Sequence, residues 1–434
     1  MRKMLRFILT VFLTTVLLTG FVFAEEASPP EIEAEAYLLV EMSSGKVLCA
    51  RNEHETLYPA SVTKMLTALV TIETVALQEV VVVGDEVGYI GPQSSRARLR
   101  RGDMLTVEQL LYAMLLPSGN DAAHVLAVYV ARQQQGEHLS IDAALAVFAE
   151  MMNQRAEQLG AVNSNFVTPD GYHHPDHYST ASDLALIFFA AWEHDILRLI
   201  ASTPRYVWED GNRELSWFNT NLALHPLMEE HYDSRVTGFK TGYTPQAGSC
   251  LVTTARKGEV ELLVIILNSS REQRYDDSRR LLDYGFDNHA YRNVLTPGRV
   301  LTVMPVAGQA PGEAETIKIR AEKYYGDYFR NDQTLEFQYV WDSNLMIMEG
   351  EEAVFLAPLR ANQRVGSVQV VLDGQVLTEM NVYISSGVSA ARRPVPGVFI
   401  SAVVAATVLA LLAGLLASYS FRRKAKDSQA DRRV

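Results

Sequence analysis

A serine followed three residues later by a lysine, Ser61-Val62-Thr63-Lys64, stands at the opening of a helical pattern over Ala60–Val75. Residues three apart share a helix face, so Ser61 and Lys64 can meet. A serine hydroxyl is a poor nucleophile until a base takes its proton. Lysine is that base only where burial or neighbouring cations depress its pKa. The run Met65, Leu66, Ala68, Leu69 and Val70 offers an apolar setting. A helix N-terminus also favours negative charge developing at Ser61. Taken alone, the tetrapeptide reads far more readily as an N-capping serine with a surface lysine.

Two further elements change that balance. Ser118-Gly119-Asn120 falls at a turn between two helical patterns, where a hydroxyl and an amide can project into one cleft. The hydroxyl could relay a proton to a leaving amine, and the amide could hold a substrate backbone carbonyl; the plain alternative is a loop with Asn120 as helix cap. Lys240-Thr241-Gly242 precedes a strand pattern starting near Ser249. Lysine and threonine in one cleft suit a carboxylate-bearing substrate, and Gly242 lets a substrate backbone approach. Its plain alternative is a polar strand edge. In this order the three elements form the motif set of serine β-lactamases and penicillin-binding proteins, with Gly119 where an aspartate is usual.

The chain resembles the D-alanyl-D-alanine carboxypeptidases, the low-molecular-mass penicillin-binding proteins of peptidase family S11. The blocks YPASVTKMLTALV, LLPSGNDAAHVLA, HYSTASDLALI and GFKTGYTPQAGSCLVTTA carry the resemblance, which runs from about Ala36 to Phe286. It implies that Ser61 forms an acyl-enzyme with Lys64 as general base. Ser118 would shuttle the proton, and Asn120 would orient the substrate and Lys64. Lys240 and Thr241 would bind the terminal carboxylate, with Gly242 beside them. The backbone N–H groups of Ser61 and Tyr243 would form the oxyanion hole. Arg274 aligns with an arginine near the carboxylate, on the strength of the neighbouring DDSRRLLDYGF stretch. The implied partners are peptidoglycan stem peptides as substrate and β-lactams as inhibitors.

Competing assignments are weighed against that reading. A class A β-lactamase needs a deacylating glutamate near the serine; Glu150 and Glu157 lie between the motifs without a recognisable surrounding pattern. A catalytically silent wall-binding protein would not need every motif residue intact. His177 is tempting as a base, but Lys64 fills that role, and HYSTASD reads as a helix start capped by Thr180 or Ser182. His173 and His174 lack zinc-ligand spacing. No metal and no cofactor is expected.

The elements that must position these groups follow from periodicity. Tyr37–Glu41 and Val47–Ala50 read as strands around a Ser43-Ser44-Gly45 turn. Helical patterns cover Val107–Met114, Asp121–Arg132, Ile141–Leu159 and Ser182–Trp192. Ser249–Ala255 and Glu259–Leu267 form a second hairpin, and Asp276–Tyr284 is a closing helix. The expected fold is an α/β (α+β) serine β-lactamase/transpeptidase-like domain over residues 31–290, an antiparallel sheet with a helical cluster inserted in sequence. A smaller all-β domain is expected over 291–388, with Asp373-Gly374 as a hairpin turn.

Composition and targeting set the context. With 48% hydrophobic residues, the chain of 434 can bury a sizeable core. Its net charge of -12 argues against a nucleic-acid partner, which needs clustered Lys and Arg. Arg2, Lys3 and Arg6, an apolar run and the Val22/Ala24 pair read as a signal peptide over 1–24. Gly397–Phe421 carries no charge and is long enough to span a bilayer, and the basic tail 422–434 fits the cytoplasmic side. The expected location is therefore the plasma membrane, with the catalytic domain outside and one C-terminal span. Cys49 and Cys250 are a pair that an exported chain could bridge, although two cysteines do not make a disulfide framework.

Overall fold

Six consecutive buried residues, Ala36–Glu41, make strand β1. Its alternation sorts two cores: Leu38 and Val40 face a helical cluster, while Tyr37 and Leu39 face the other side. β1 turns through Ser43–Gly45 into β2, Lys46–Arg51. The fully buried Glu41 carboxylate accepts the amides and hydroxyls of Ser43 and Ser44, at 2.6–3.0 Å, so its charge is satisfied by that turn.

The computed structural model describes residues 29–391 apart from Asn212 and Gly350. The expected leader 1–24, span 397–421 and tail 422–434 lie outside the described residues. Among the described residues no helix is long and apolar enough to cross a membrane.

Two short strands, β3 (Val80–Val82) and β4 (Met104–Thr106), pair antiparallel. A hairpin, β5 (Arg205–Glu209) with β6 (Glu214–Phe218), buries Trp208 and Trp217 and stacks Tyr206 on Tyr112 at 4.1 Å. The main sheet is completed by β7 (Val236–Thr244), β8 (Gly248–Lys257) and β9 (Val260–Ser269). Its order is β2-β1-β9-β8-β7, all antiparallel, with β7 at one edge. Strand β9 reads as a continuous apolar run because both its faces are covered: Leu263, Ile265 and Leu267 on one side, Leu262, Val264 and Ile266 on the other.

Helices fill the chain between β2 and β7. These are α1 (Lys64–Thr74), α2 (Val107–Leu115), α3 (Asn120–Gln135), α4 (Ile141–Gln158), α5 (Ala181–Trp192) and α6 (Asp195–Ser202). Their starts are chemically marked. Thr106 and Gln109 make a reciprocal capping box for α2, Ser140 caps α4, and Thr180 rather than Ser182 caps α5. Helix α7 (Gln273–Asn288) sends Leu281 and Leu282 into the core on the second face of the sheet.

The sequence pattern differs from the structure at two points that matter. The reading of one helix over Ala60–Val75 resolves into a 3-10 turn, Ala60–Thr63, followed by α1. Lys240-Thr241-Gly242 does precede the strand read near Ser249, which is β8, but the motif itself lies inside β7.

The described chain divides into two units. The first runs to Arg292 and takes in Gly326–Gln333; within it Lys46 pairs with Asp327 at 2.8 Å. The second comprises Asn293–Tyr325 and the chain from Thr334 onward. It is built on a seven-stranded sheet with no α-helix among its described residues. At its Asp373-Gly374 turn both residues have positive φ, 50° and 78°, and Leu372 pairs with Gln375, as a two-residue hairpin of the primed type requires.

Candidate active site

Ser61 lies half-buried in the 3-10 turn, and Lys64 opens α1 with its side chain wholly buried. Lys64 Nζ is 2.8 Å from Ser61 Oγ, from Asn120 Oδ1 and from the main-chain oxygen of Asp170. The two carbonyl-type oxygens can only accept hydrogen bonds. As the ammonium, Lys64 donates to all three oxygens; as the neutral amine it gives its two N–H groups to Asn120 Oδ1 and Asp170 O and turns its lone pair to the Ser61 hydroxyl, the arrangement a base needs. Burial lowers the Lys64 pKa to about 8, against the pull of the Asp170 and Asp121 charges.

The loop before α3 brings the second motif to this lysine. Asn120 is the first residue of α3; its Nδ2 donates to Ser94 Oγ at 3.0 Å and its N–H to Ser95 O at 2.9 Å. The amide is therefore held at both ends with Oδ1 toward Lys64. Ser118 has φ 59°, a left-handed conformation disfavoured for a residue with a Cβ. Its hydroxyl is buried and has no hydrogen-bond partner among the described residues. A left-handed backbone and an unpartnered buried hydroxyl are features that cluster at active sites.

The third motif arrives on the edge strand. A Cβ on Gly242 would lie 3.0 Å from both Pro59 O and Ser61 N, so β7 runs directly against the Ser61 turn. Lys240 shares the face of Gly242 by strand alternation. Its side chain is buried, with Nζ 2.8 Å from Thr241 O. Burial, and then the charges of Lys64 and Arg274, push its pKa well down. Thr241 Oγ1 contacts Thr220 Oγ1 at 2.6 Å. Arg274, from α7, reaches the carbonyls of Gly242 and Cys250 at 3.4 and 3.5 Å. Tyr243 follows on the same strand and is 64% exposed. Of the residues singled out from the sequence, Ser61, Lys64 and Asn120 are joined by hydrogen bonds, Gly242 packs against the Ser61 turn, and Arg274 reaches the Gly242 carbonyl.

Some participants left no trace in the motif reading. Asp170 contributes its backbone oxygen to Lys64 and, at 3.3 Å, to Ser61 Oγ. The following glycine has φ 76°, and a Cβ there would sit 1.9 Å from Ala60 O, so only glycine lets this turn reach the site. Pro169-Asp170-Gly171 is a turn signal, but a backbone ligand has no side-chain signature. Burial raises the Asp170 carboxyl, yet the His124 imidazole at 3.4 Å, Lys64 and the Tyr172 amide hold it at about 2. His177 is structural: Nδ1 accepts the amides of Val167 and Thr168, leaving Nε2 to donate to Thr63 Oγ1 at 2.8 Å. Burial lowers its pKa to about 4. Cys49 and Cys250 are both buried and free, on β2 and β8. Glu150 and Glu157 lie exposed on α4, and Glu150 accepts from Gln154.

A nucleophilic serine, a buried lysine and a cationic edge strand on a sheet with an inserted helical cluster define a serine acyl-transfer enzyme of the penicillin-binding type. A sequence model described as D-alanyl-D-alanine carboxypeptidase matches residues 23–271, more than half of the chain, and the chain belongs to that family, peptidase family S11. It is 27% identical over 354 residues to the D-alanyl-D-alanine carboxypeptidase DacD of Escherichia coli (strain K12), covering 79% of this chain and 83% of the relative. Among solved structures it is similar to penicillin-binding protein 5 from Haemophilus influenzae, with TM-score 0.59, 26% identity and coverage of 83% of this chain and 99% of the other. The Streptomyces K15 DD-transpeptidase is also similar, with TM-score 0.55, 30% identity and coverage of 60% and 99%.

Proposed function

We propose that this chain removes the terminal D-alanine from peptidoglycan stem pentapeptides through an acyl-enzyme on Ser61, and that penicillin blocks it by acylating the same serine. The observation that carries this is Lys64 Nζ, wholly buried, 2.8 Å from Ser61 Oγ and held in place by Asn120 Oδ1 and Asp170 O.

In this reading Lys64 takes the Ser61 proton as Oγ attacks the carbonyl of the penultimate D-alanine. The N–H groups of Ser61 and Tyr243 receive the developing oxyanion. Collapse breaks the peptide bond, and Ser118 passes a proton to the departing amine. Water then attacks the ester, returns the proton to Ser61 and frees the shortened peptide. Lys240 and Thr241 hold the terminal carboxylate. Arg274, tied to the strand carbonyls, adds positive potential behind Gly242. The bound carboxylate favours the charged form of Lys240, so substrate binding offsets its desolvation.

A β-lactamase would hydrolyse the penicillin ester quickly. The exposed positions of Glu150 and Glu157 give no deacylating base, and this favours a long-lived penicillin ester. Offering a peptide ending in D-Ala-D-Ala separates the two: free D-alanine with slow penicillin turnover supports the carboxypeptidase, and rapid penicillin turnover without D-alanine release overturns it.

The proposed setting is the outer face of the plasma membrane. The basic start and small-residue site over 1–24 support export, and the charge-free 397–421 with the basic 422–434 supports one C-terminal span.

A further inference from the structure

Three arginines on a segment bonded to the site have no side-chain partner among the described residues. Arg96, Arg98 and Arg100 are exposed and alternate with buried Ala97 and Leu99. The segment that carries them is fastened to the active-site loop at successive points. Ser94 Oγ and Ser95 O bond Asn120, whose amide holds Lys64. The next residue after Asn120 is Asp121, whose buried carboxylate takes the amides of Ala97 at 2.8 Å and Leu99 at 3.1 Å. Trp217 Nε1 donates to Ala97 O at 2.9 Å. Arg96 is thus flanked by one residue bonded to Asn120 and one bonded to Asp121. Arg98 sits at φ 67°, a conformation that costs a Cβ-bearing residue energy and that the Asp121 clamp imposes.

The nearby acids do not neutralise these three. Asp85 pairs with Arg101 at 2.9 Å. Asp103 pairs with Arg213 and accepts the Arg100 amide, not its guanidinium. Glu86 is buried and accepts the Gly84 amide. In a chain of net charge -12, three exposed arginines without an ion-pair partner among the described residues, on a segment hydrogen-bonded to Asn120 and Asp121, are a local positive field.

We propose that Arg96, Arg98 and Arg100 form an anion subsite for free carboxylates of the acyl-donor peptide, upstream of the scissile bond. This rests on the carboxypeptidase reading. There the leaving residue lies toward Lys240 and Thr241, and the acyl chain passes Asn120, which leads it onto the 94–100 segment. Guanidinium groups suit carboxylates because their planar fork can donate two parallel hydrogen bonds. The subsite selects for an acidic stem and leaves the bond-making groups untouched.

The test compares two synthetic peptides ending in D-Ala-D-Ala, one with an upstream γ-linked D-glutamate bearing a free α-carboxylate, the other with that carboxylate amidated. The wild-type protein is expected to prefer the acid by about tenfold in kcat/KM, chiefly through KM. That preference shrinks as salt rises from about 0.05 to 0.5 M. The triple substitution R96Q/R98Q/R100Q removes the preference and leaves the amidated peptide and the penicillin acylation rate within about twofold. Equal loss on both peptides, or an undiminished preference in the variant, overturns the subsite. Wild-type protein that neither takes a penicillin adduct nor releases D-alanine would instead refute the carboxypeptidase reading beneath it.

Discussion

Lys64 Nζ lies 2.8 Å from the main-chain oxygen of Asp170, a contact that holds the buried amine within 2.8 Å of the Ser61 hydroxyl. Arginine at this position would keep a positive charge at any working pH and could not act as base. K64R is therefore expected to lower the penicillin acylation rate by about 10²–10⁴, with the far-ultraviolet circular dichroism spectrum retained. Acylation at the wild-type rate would remove Lys64 from that role.

The pH dependence of acylation reports the same group. With its pKa lowered to about 8, Lys64 is about one-tenth free amine at pH 7, so the rate should rise with pH through about 8. The Asp170 charge favours the ammonium form and opposes the downward shift. D170N keeps the backbone oxygen but removes that charge, so the midpoint should move to lower pH. A midpoint that stays or rises contradicts the electrostatic account.

Acid stability separates His177 from catalysis. Its pKa is about 4 in the fold and about 6.5 in an unfolded chain, so the native state binds fewer protons between those values. Its contribution is complete above about 6.5 and is lost as pH falls toward 4, on the order of 3 kcal/mol in all. Asp170, held at about 2, acts lower: its contribution is present above the unfolded value near 3.9 and is lost as pH falls through 2. Melting temperatures of the wild type and H177Q across pH 4–7 should differ in slope, with H177Q the flatter. Identical slopes would show that the histidine is not held neutral.

Most helices and the central hairpins were legible in their periods: Thr180 caps one helix as its sequence suggests, and the β9 run announces a strand covered on both faces, whereas the short helix Asp195–Ser202 was not read. Other parts were not. Strand β7 is interrupted in pattern by Lys240, Thr241 and Gly242, whose polarity serves the cleft rather than the sheet. The β5–β6 hairpin buries Trp208 and Trp217, yet its Arg205, Glu209 and Glu214 mask the alternation. The nucleophile, its lysine and both flanking motifs were readable as side chains. The Asp170 oxygen was not, since a main-chain ligand depends on where a turn is brought in space. The same holds for residues 326–333, which join the first unit although they lie far along the chain.

The central claim is that Ser61 is the acylated nucleophile. The most direct measurement is to incubate the full chain with labelled penicillin, digest it and locate the adduct by mass spectrometry. The account predicts one stable adduct on the peptide carrying Ser61, absent from S61A. An adduct elsewhere, or none on a folded protein, would contradict it.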